Sequence, residues 1–193
     1  TTTGRVVRFV VGHANVDVLV TGAGLTHTAY YVARQLGEEN YAAAINVGIA
    51  GTFNKAIPIG KLVHVNSEQF GDLGIDDRGK FIPLHQMPFM DANAYPYKNG
   101  VLYNEKPYCA NLLSEMVEVK AISVNKVAGS EAYIKCLETH FNPDIESMEG
   151  AAFFYACLQE GIPFVQVRAI SNQVAVRNRA SWDIPLALAK LNT

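Results

Sequence analysis

Short β-branched and apolar runs alternate along the chain with segments whose apolar residues recur at helical spacing. Arg5–Val11 and Val16–Thr21 read as the strands of a hairpin. The second runs into Gly22-Ala23-Gly24 and then a helical pattern over 26–38, with Ala29, Tyr30, Ala33 and Leu36 at helical spacing. Ala42–Val47 and Lys61–Asn66 predict two further strands, the first followed by Gly48-Ile49-Ala50-Gly51. Residues 71–104 are rich in Gly, Pro, Asp and Asn and show little periodicity, which predicts a long functional loop. A helix is expected over 108–115, a strand over 117–127, and a helix over 131–140 that Asn142-Pro143 stops. Ile145–Met148 is short and extended. The segment 149–160 is helical, ends at Gly161 and precedes Pro163. Phe164–Ile170 predicts the last strand and 183–191 the last helix.

This alternation predicts one α/β domain over residues 1–193: three layers, α/β/α, with a central mixed, mostly parallel sheet. No repeat or linker divides it. Ligands of such sheets bind at the carboxyl ends of the strands. Polar or Gly-rich clusters stand at those ends here, at 22–24, 48–51 and 171–173, with the turn Ser147–Gly150 placed similarly.

Each cluster has a plain reading beside a functional one. Gly22-Ala23-Gly24 is either a tight strand–helix turn or a backbone cradle for an anion. It lacks the third glycine of a dinucleotide motif, since position 27 is His27, and no P-loop Lys follows. Ser147 can cap the helix after it, and Glu149 can simply favour the positive end of that helix. A carboxylate held there is also a bidentate acceptor for neighbouring hydroxyls such as a ribose diol, with Met148 as an apolar wall. Arg168, inside an apolar strand, calls for a partner such as Glu149. Asn172 shares its strand parity and its face unless a bulge intervenes. Tyr133, at the start of a helix, is either core or a stacking platform for a flat heterocycle.

Charge and composition narrow the partners. A net charge of −2 gives no footprint for a nucleic-acid backbone. No window holds ~18 consecutive apolar residues, so no membrane partner is expected. The opening Thr-Thr-Thr-Gly does not read as a signal peptide. Cys109, Cys136 and Cys157, odd in number and widely spaced, read as buried thiols in a reducing compartment, which points to a cytoplasm. The five histidines lack metal-ligand spacing, so no metal or cofactor is expected.

Four stretches taken in order, VGIAGTFN (47–54), GSEAYI (129–134), ESMEGAA (146–152) and VRAISNQ (167–173), resemble the nucleoside phosphorylase/nucleosidase family over most of the chain. SEQFGDLGIDDRGKF (67–81) and VRNRASWDIPLAL (176–188) are similar to its futalosine hydrolases, which remove the purine from futalosine in menaquinone biosynthesis. The resemblance implies that Glu149 binds the ribose hydroxyls with Met148 beneath the sugar. It further implies that Tyr133 stacks on the base, the backbone of Ile134 reads its edge, and Arg168 and Ser171 join the polar network. The turn carrying Ile49, Ala50 and Gly51 would border the substrate. Phe70 in its loop, with Arg177 and Arg179, are candidates for a carboxylate-bearing 5′ substituent. Relatives are homo-oligomers, and the same is expected here.

Asn172 stands where adenine-specific relatives carry an acid. Breaking an N-glycosidic bond drives negative charge onto the purine, so a donor aimed at N7 or the 6-substituent is needed. An amide donates without prior protonation, and its oxygen accepts; that pair suits a 6-oxopurine. Where bacterial phosphorylases place Arg and Ser in the glycine turn, this chain has Asn46 and Ile49, which favours water over phosphate as nucleophile. The alternatives are a 5′-methylthioadenosine/S-adenosylhomocysteine nucleosidase and an inactive nucleoside-binding protein. The latter stays open because the family's first strand, with its water-orienting Glu, has no counterpart after Thr1.

Overall fold

The computed structural model describes residues 2–176 and 178–192, the side chain of Arg179 excepted. The elements follow as β1 (Val6–Val11), β2 (Ala14–Leu19), α1 (Leu25–Glu38), β3 (Ala44–Thr52), β4 (Leu62–Phe70), β5 (Gly74–Asp77), β6 (Lys80–Pro83), β7 (Leu102–Tyr103), α2 (Ala110–Leu113), β8 (Val117–Ser123), α3 (Glu131–Phe141), β9 (Ile145–Ser147), α4 (Gly150–Glu160), β10 (Phe164–Gln173) and α5 (Ile184–Leu191). The order in the six-stranded main sheet is β10-β3-β9-β8-β4-β7, and β10 also pairs with β4. The strands β10, β3, β9, β8 and β4 therefore close into a ring. The long ladders, β10 with β3 and β4 with β8, are parallel; the short seams β3–β9 and β4–β10 are antiparallel. Hence β3 and β10 run one way and β4, β8 and β9 the other. This is the expected mixed α/β arrangement, with its parallel strands in two opposed groups.

Helices α1 and α4 pack together against one face, over a core that includes Val63, Val65, Val119, Ala121, Phe154 and Ile170. A smaller cluster of Ile122, Val124, Ala128, Leu137 and Phe141 packs under α3 on the other face. A core strand buried on both faces needs a mostly apolar run, which β10 supplies, whereas β8 is mostly exposed over its first half, where only Val119 is buried, and is buried from Ala121 to Ser123.

Bulges re-aim side chains at two places. The β4–β8 register slips between Val65 and Ser67, so Glu68 falls on the same face as Val65 and Val63. The β10–β3 register slips between Ile170 and Asn172. Side chains change face across a bulge, and bulges cluster beside functional sites.

Some boundaries differ from expectation. β3 continues through the glycines to Thr52, and β10 continues through its bulge to Gln173. The strand expected over 117–127 stops at Ser123, and the helix expected over 108–115 shrinks to Ala110–Leu113. The expected long loop contains the hairpin β5–β6, whose turn residues Arg78 and Gly79 both have positive φ, 56° and 85°. Of the cysteines expected to be buried, Cys157 is; Cys136 is half-buried and Cys109 exposed. No helix among the described residues is long and apolar enough to cross a membrane.

Candidate active site

β9 pairs with β3 only at Gly51 and Thr52, then leaves it to enter α4. Glu149 is the N-cap residue of α4, and its Oε1 accepts the Gly24 backbone N–H at 3.1 Å; its Oε2 accepts from Met148 N at 3.3 Å. Gly24 is itself the N-cap of α1. Two helix N-termini thus converge on one carboxylate, and their partial positive charge suits an anion. Of the glycine turn 22–24, the Gly24 N–H is the group that meets this carboxylate of the chain itself. Glu149 and Met148 stay half-buried, reachable from solvent.

Arg168 does not ion-pair directly with Glu149. Its Nη1 donates to Asn46 Oδ1 at 3.1 Å, while Nε and Nη2 are buried donors with no partner. The guanidinium lies over Gly48, where an added Cβ would stand 2.7 Å from Nη1. It is 1% exposed, and burial lowers its pKa against the opposing pull of Glu149 first and Glu68 second. The expected partnership of Arg168 with Glu149 is thus a field effect. The bridge fails because Asn46 lies nearer the guanidinium.

Behind this pair lies a buried polar chain. Asn46 Nδ2 donates to Gln166 Oε1 at 2.8 Å, and Gln166 Nε2 donates to Glu68 Oε1 at 2.6 Å. From the other side Ser123 Oγ donates to Glu68 Oε2 at 3.0 Å, lies 3.3 Å from Ser147 Oγ, and accepts Ala151 N at 2.8 Å. Gly150 N reaches Ser147 Oγ at 3.4 Å, but the N-cap position of α4 belongs to Glu149, not to Ser147 as expected. Glu68 is fully buried, and desolvation pushes its carboxyl up to about 7 despite Gln166, Arg168 and Ser123.

The surroundings of Asn172 are different. The bulge breaks the shared parity of Arg168 and Asn172. Arg168 sits over Gly48, whereas Asn172 sits beside Gly51, whose added Cβ would lie 3.0 Å from Nδ2. Gly48 and Gly51 are an odd number of residues apart on β3, so the two side chains are on opposite faces. Asn172 is buried; its Oδ1 accepts from Ser171 Oγ at 2.8 Å and its Nδ2 donates to Gln173 O at 3.0 Å. That leaves the amide one donor hydrogen and acceptor capacity. Ser171 Oγ also reaches Ala50 O at 3.2 Å. Across β3 from Asn172, Glu146 is registered with Gly51 and receives Ala128 N on both oxygens, at 3.2 and 3.3 Å. Burial raises its carboxyl to about 7, with Asp72 adding to the effect.

Tyr133 and Ile134 open α3 and are half-buried against the smaller core. Ser130 caps the helix by accepting Tyr133 N. Lys126 Nζ lies 4.2 Å from the Tyr133 ring centroid, and the phenol hydroxyl is buried without a partner. Burial, followed by Asp72 and Glu146, raises the phenol's pKa. Ile49 is half-buried beside buried Ala50, and Phe70 ends β4 against the main core. Arg177 lies outside the described residues. A surface cavity of about 450 Å³ is lined by Tyr95, Tyr97 and Leu158, towards the opposite end of α4 from Glu149.

A model of the family described as "Phosphorylase superfamily" matches residues 1–192. The chain belongs to that superfamily. Futalosine hydrolase of Acidothermus cellulolyticus is 32% identical to it over 181 residues, covering 92% of this chain and 72% of the relative. Futalosine hydrolase of Streptomyces coelicolor is 29% identical, covering 91% and 74%. A 5′-methylthioadenosine/S-adenosylhomocysteine nucleosidase of Shewanella sp. is 30% identical, covering 92% and 76%. Among solved structures, a futalosine hydrolase mutant of Helicobacter pylori has TM-score 0.78 at 18% identity, covering 96% of this chain and 80% of its own. The corresponding nucleosidase of Colwellia psychrerythraea, in complex with adenine, gives 0.77 at 18%, covering 96% and 77%. At such identity these structures establish the shared phosphorylase-superfamily fold.

Sequence reasoning missed Glu68, Gln166, Ser123 and Glu146, and it named Asn46 without its bonds to Arg168 and Gln166. One signal was present: Gln166 and Arg168 interrupt the apolar run Phe164–Ile170 at spacing two, which marks a polar stripe on one face.

Proposed function

We propose that the chain is a purine nucleosidase that hydrolyses futalosine and releases hypoxanthine. The observation that carries this reading is Asn172, buried at the base end with a donor hydrogen and an acceptor position still free. Water adds to C1′ as the C–N bond breaks, the bonding pair moves onto the purine, and the proton that the water gives up ends on the released base. The Asn172 N–H meets that developing charge at N7 or O6 without needing a proton of its own. At the other end the Glu149 carboxylate accepts from the ribose hydroxyls, with Met148 against the sugar. The open donors of Arg168 await an acceptor on the ligand or on a neighbouring chain segment. In this reading Tyr133 and Ile134 serve the base, Ile49, Ala50 and Gly51 border the substrate, and Phe70 and Arg177 are the candidates for the 5′ substituent.

Phosphorolysis fits less well. Phosphate in a dry site needs several cations. The Asn46 amide, in the turn position where a phosphorylase carries Arg, is already engaged by Gln166 and Arg168. The same reading takes residues 1–193 as one domain of a cytoplasmic homo-oligomer in menaquinone biosynthesis, working without metal or cofactor. Chromatography of futalosine incubated with the protein, with and without phosphate, tests it. Hypoxanthine release at equal rates in both is expected; a phosphate requirement would overturn the hydrolase assignment. The second reading, supported by the Shewanella relative, is a 5′-methylthioadenosine/S-adenosylhomocysteine nucleosidase. Release of adenine in place of hypoxanthine would favour it.

A further inference from the structure

Glu68 lies behind the ribose end without facing solvent, yet every hydrogen bond in its neighbourhood points toward it. One chain runs from the Arg168 guanidinium through Asn46 and Gln166 to Oε1. The other runs from the start of α4, where Gly150 N–H meets Ser147, through Ser123 to Oε2. Both begin at positive charge: a guanidinium in one case, a helix N-terminus in the other. Both end on the same carboxyl group. An ionised carboxylate at this position accepts from both chains, once on each oxygen. Polarised hydrogen-bond chains strengthen one another in a low dielectric, so their common terminus governs both.

We propose that Glu68 is a positioning residue for the nucleosidase reaction, holding Arg168 and the N-terminus of α4 so that the Glu149 carboxylate is aimed at the substrate diol. This rests on the nucleosidase reading above. Glu68 reaches this position only because of the bulge in β4. Gly150 leaves room for it, since a Cβ there would stand 1.7 Å from Oε1. The charged groups facing Glu68 are Arg168 from β10 and Glu149 from the start of α4; β3, β8 and β9 present only Asn46, Ser123 and Ser147. Protonating Glu68 turns one accepting oxygen into a donor that confronts Gln166 or Ser123. One chain must then reverse, and the ribose end loses its register. With the carboxyl pushed up to about 7 by burial, the change falls in the neutral range.

The test is the pH profile of kcat/KM for hypoxanthine release from futalosine, normalised to folded protein by circular dichroism. Wild type is expected to lose activity as pH falls below about 7. E68Q, which puts a donor where an acceptor is needed, should lie ~10–100-fold lower and lack that fall. E146Q is the control: it removes a second buried acid, at the base end, and should keep the fall. N46A cuts only the link to Arg168, leaves both direct bonds to Glu68, and should shift the fall to higher pH with a smaller loss. N46A also serves if E68Q does not fold. Wild-type kcat/KM and pH profile in the folded fraction of E68Q or N46A would overturn the proposal while leaving the nucleosidase reading intact. Wild-type protein that cleaves no purine nucleoside would remove that reading and the proposal with it.

Discussion

Around Glu149 the polar side chains are tied to residues far away in the chain: Glu149 to Gly24, Asn46 to Gln166, Gln166 to Glu68, Glu68 to Ser123. Around Asn172 many of them are tied to near neighbours: Asn172 to Ser171 and Gln173, Ser130 to Tyr133. The first arrangement fixes one geometry, because moving any member disturbs several elements. The second leaves each group replaceable alone. A ribose is common to many nucleosides, and a rigid end suits it. The base distinguishes them, and an end built from local bonds can change specificity by a single side chain. Ser171 Oγ to Ala50 O and Ala128 N to Glu146 are longer-range ties at this end.

The comparison breaks most readily at Glu149. Glu149→Gln, which keeps the shape and removes the charge, should lower kcat/KM by about two to three orders of magnitude for every nucleoside tested. A loss confined to one base would mean that Glu149 does not hold the sugar. Next comes Asn172→Asp, with an expected drop of ~10–100-fold in hypoxanthine release and little change in folding stability. Glycine substitutions sharpen the contrast structurally. Gly150→Ala would drive a Cβ to 1.7 Å from Glu68 Oε1, whereas at Gly51 the contacts are 3.0 Å, to Asn172 Nδ2 and Val174 Cγ2. Urea unfolding should show Gly150→Ala losing ~1–3 kcal/mol and Gly51→Ala less. Equal losses would deny that the ribose end is the more tightly interlocked. The smallest effect belongs to Arg177→Ala, which should raise KM for futalosine several-fold and leave inosine unchanged; equal effects on both would detach Arg177 from the 5′ substituent.

The fold class was legible because β-branched runs and helical spacing alternate cleanly, and Glu149 was legible because its turn lies between a strand and a helix. What escaped has two physical causes. Bulges leave no mark in hydrophobic periodicity, yet the one at Ser171 separates Arg168 from Asn172, and the one in β4 turns Glu68 inward. Partner choice also depends on distance across strands. Arg168 was matched by charge to an acid such as Glu149, but Asn46, on the parallel neighbour β3, is the group within reach. The closed ring was hidden for a similar reason: the β4–β10 seam is three registered pairs, too short to announce itself in either strand.

The central claim, that Asn172 selects the base while the Glu149 end holds the sugar, is tested most directly by one ratio. Measure kcat/KM for hypoxanthine release from futalosine against that for adenine release from 5′-methylthioadenosine, in wild type and in Asn172→Asp. The account predicts a wild-type ratio well above one that falls by ~10-fold or more in the variant, with Glu149→Gln lowering both rates together. An unchanged ratio in Asn172→Asp would contradict it.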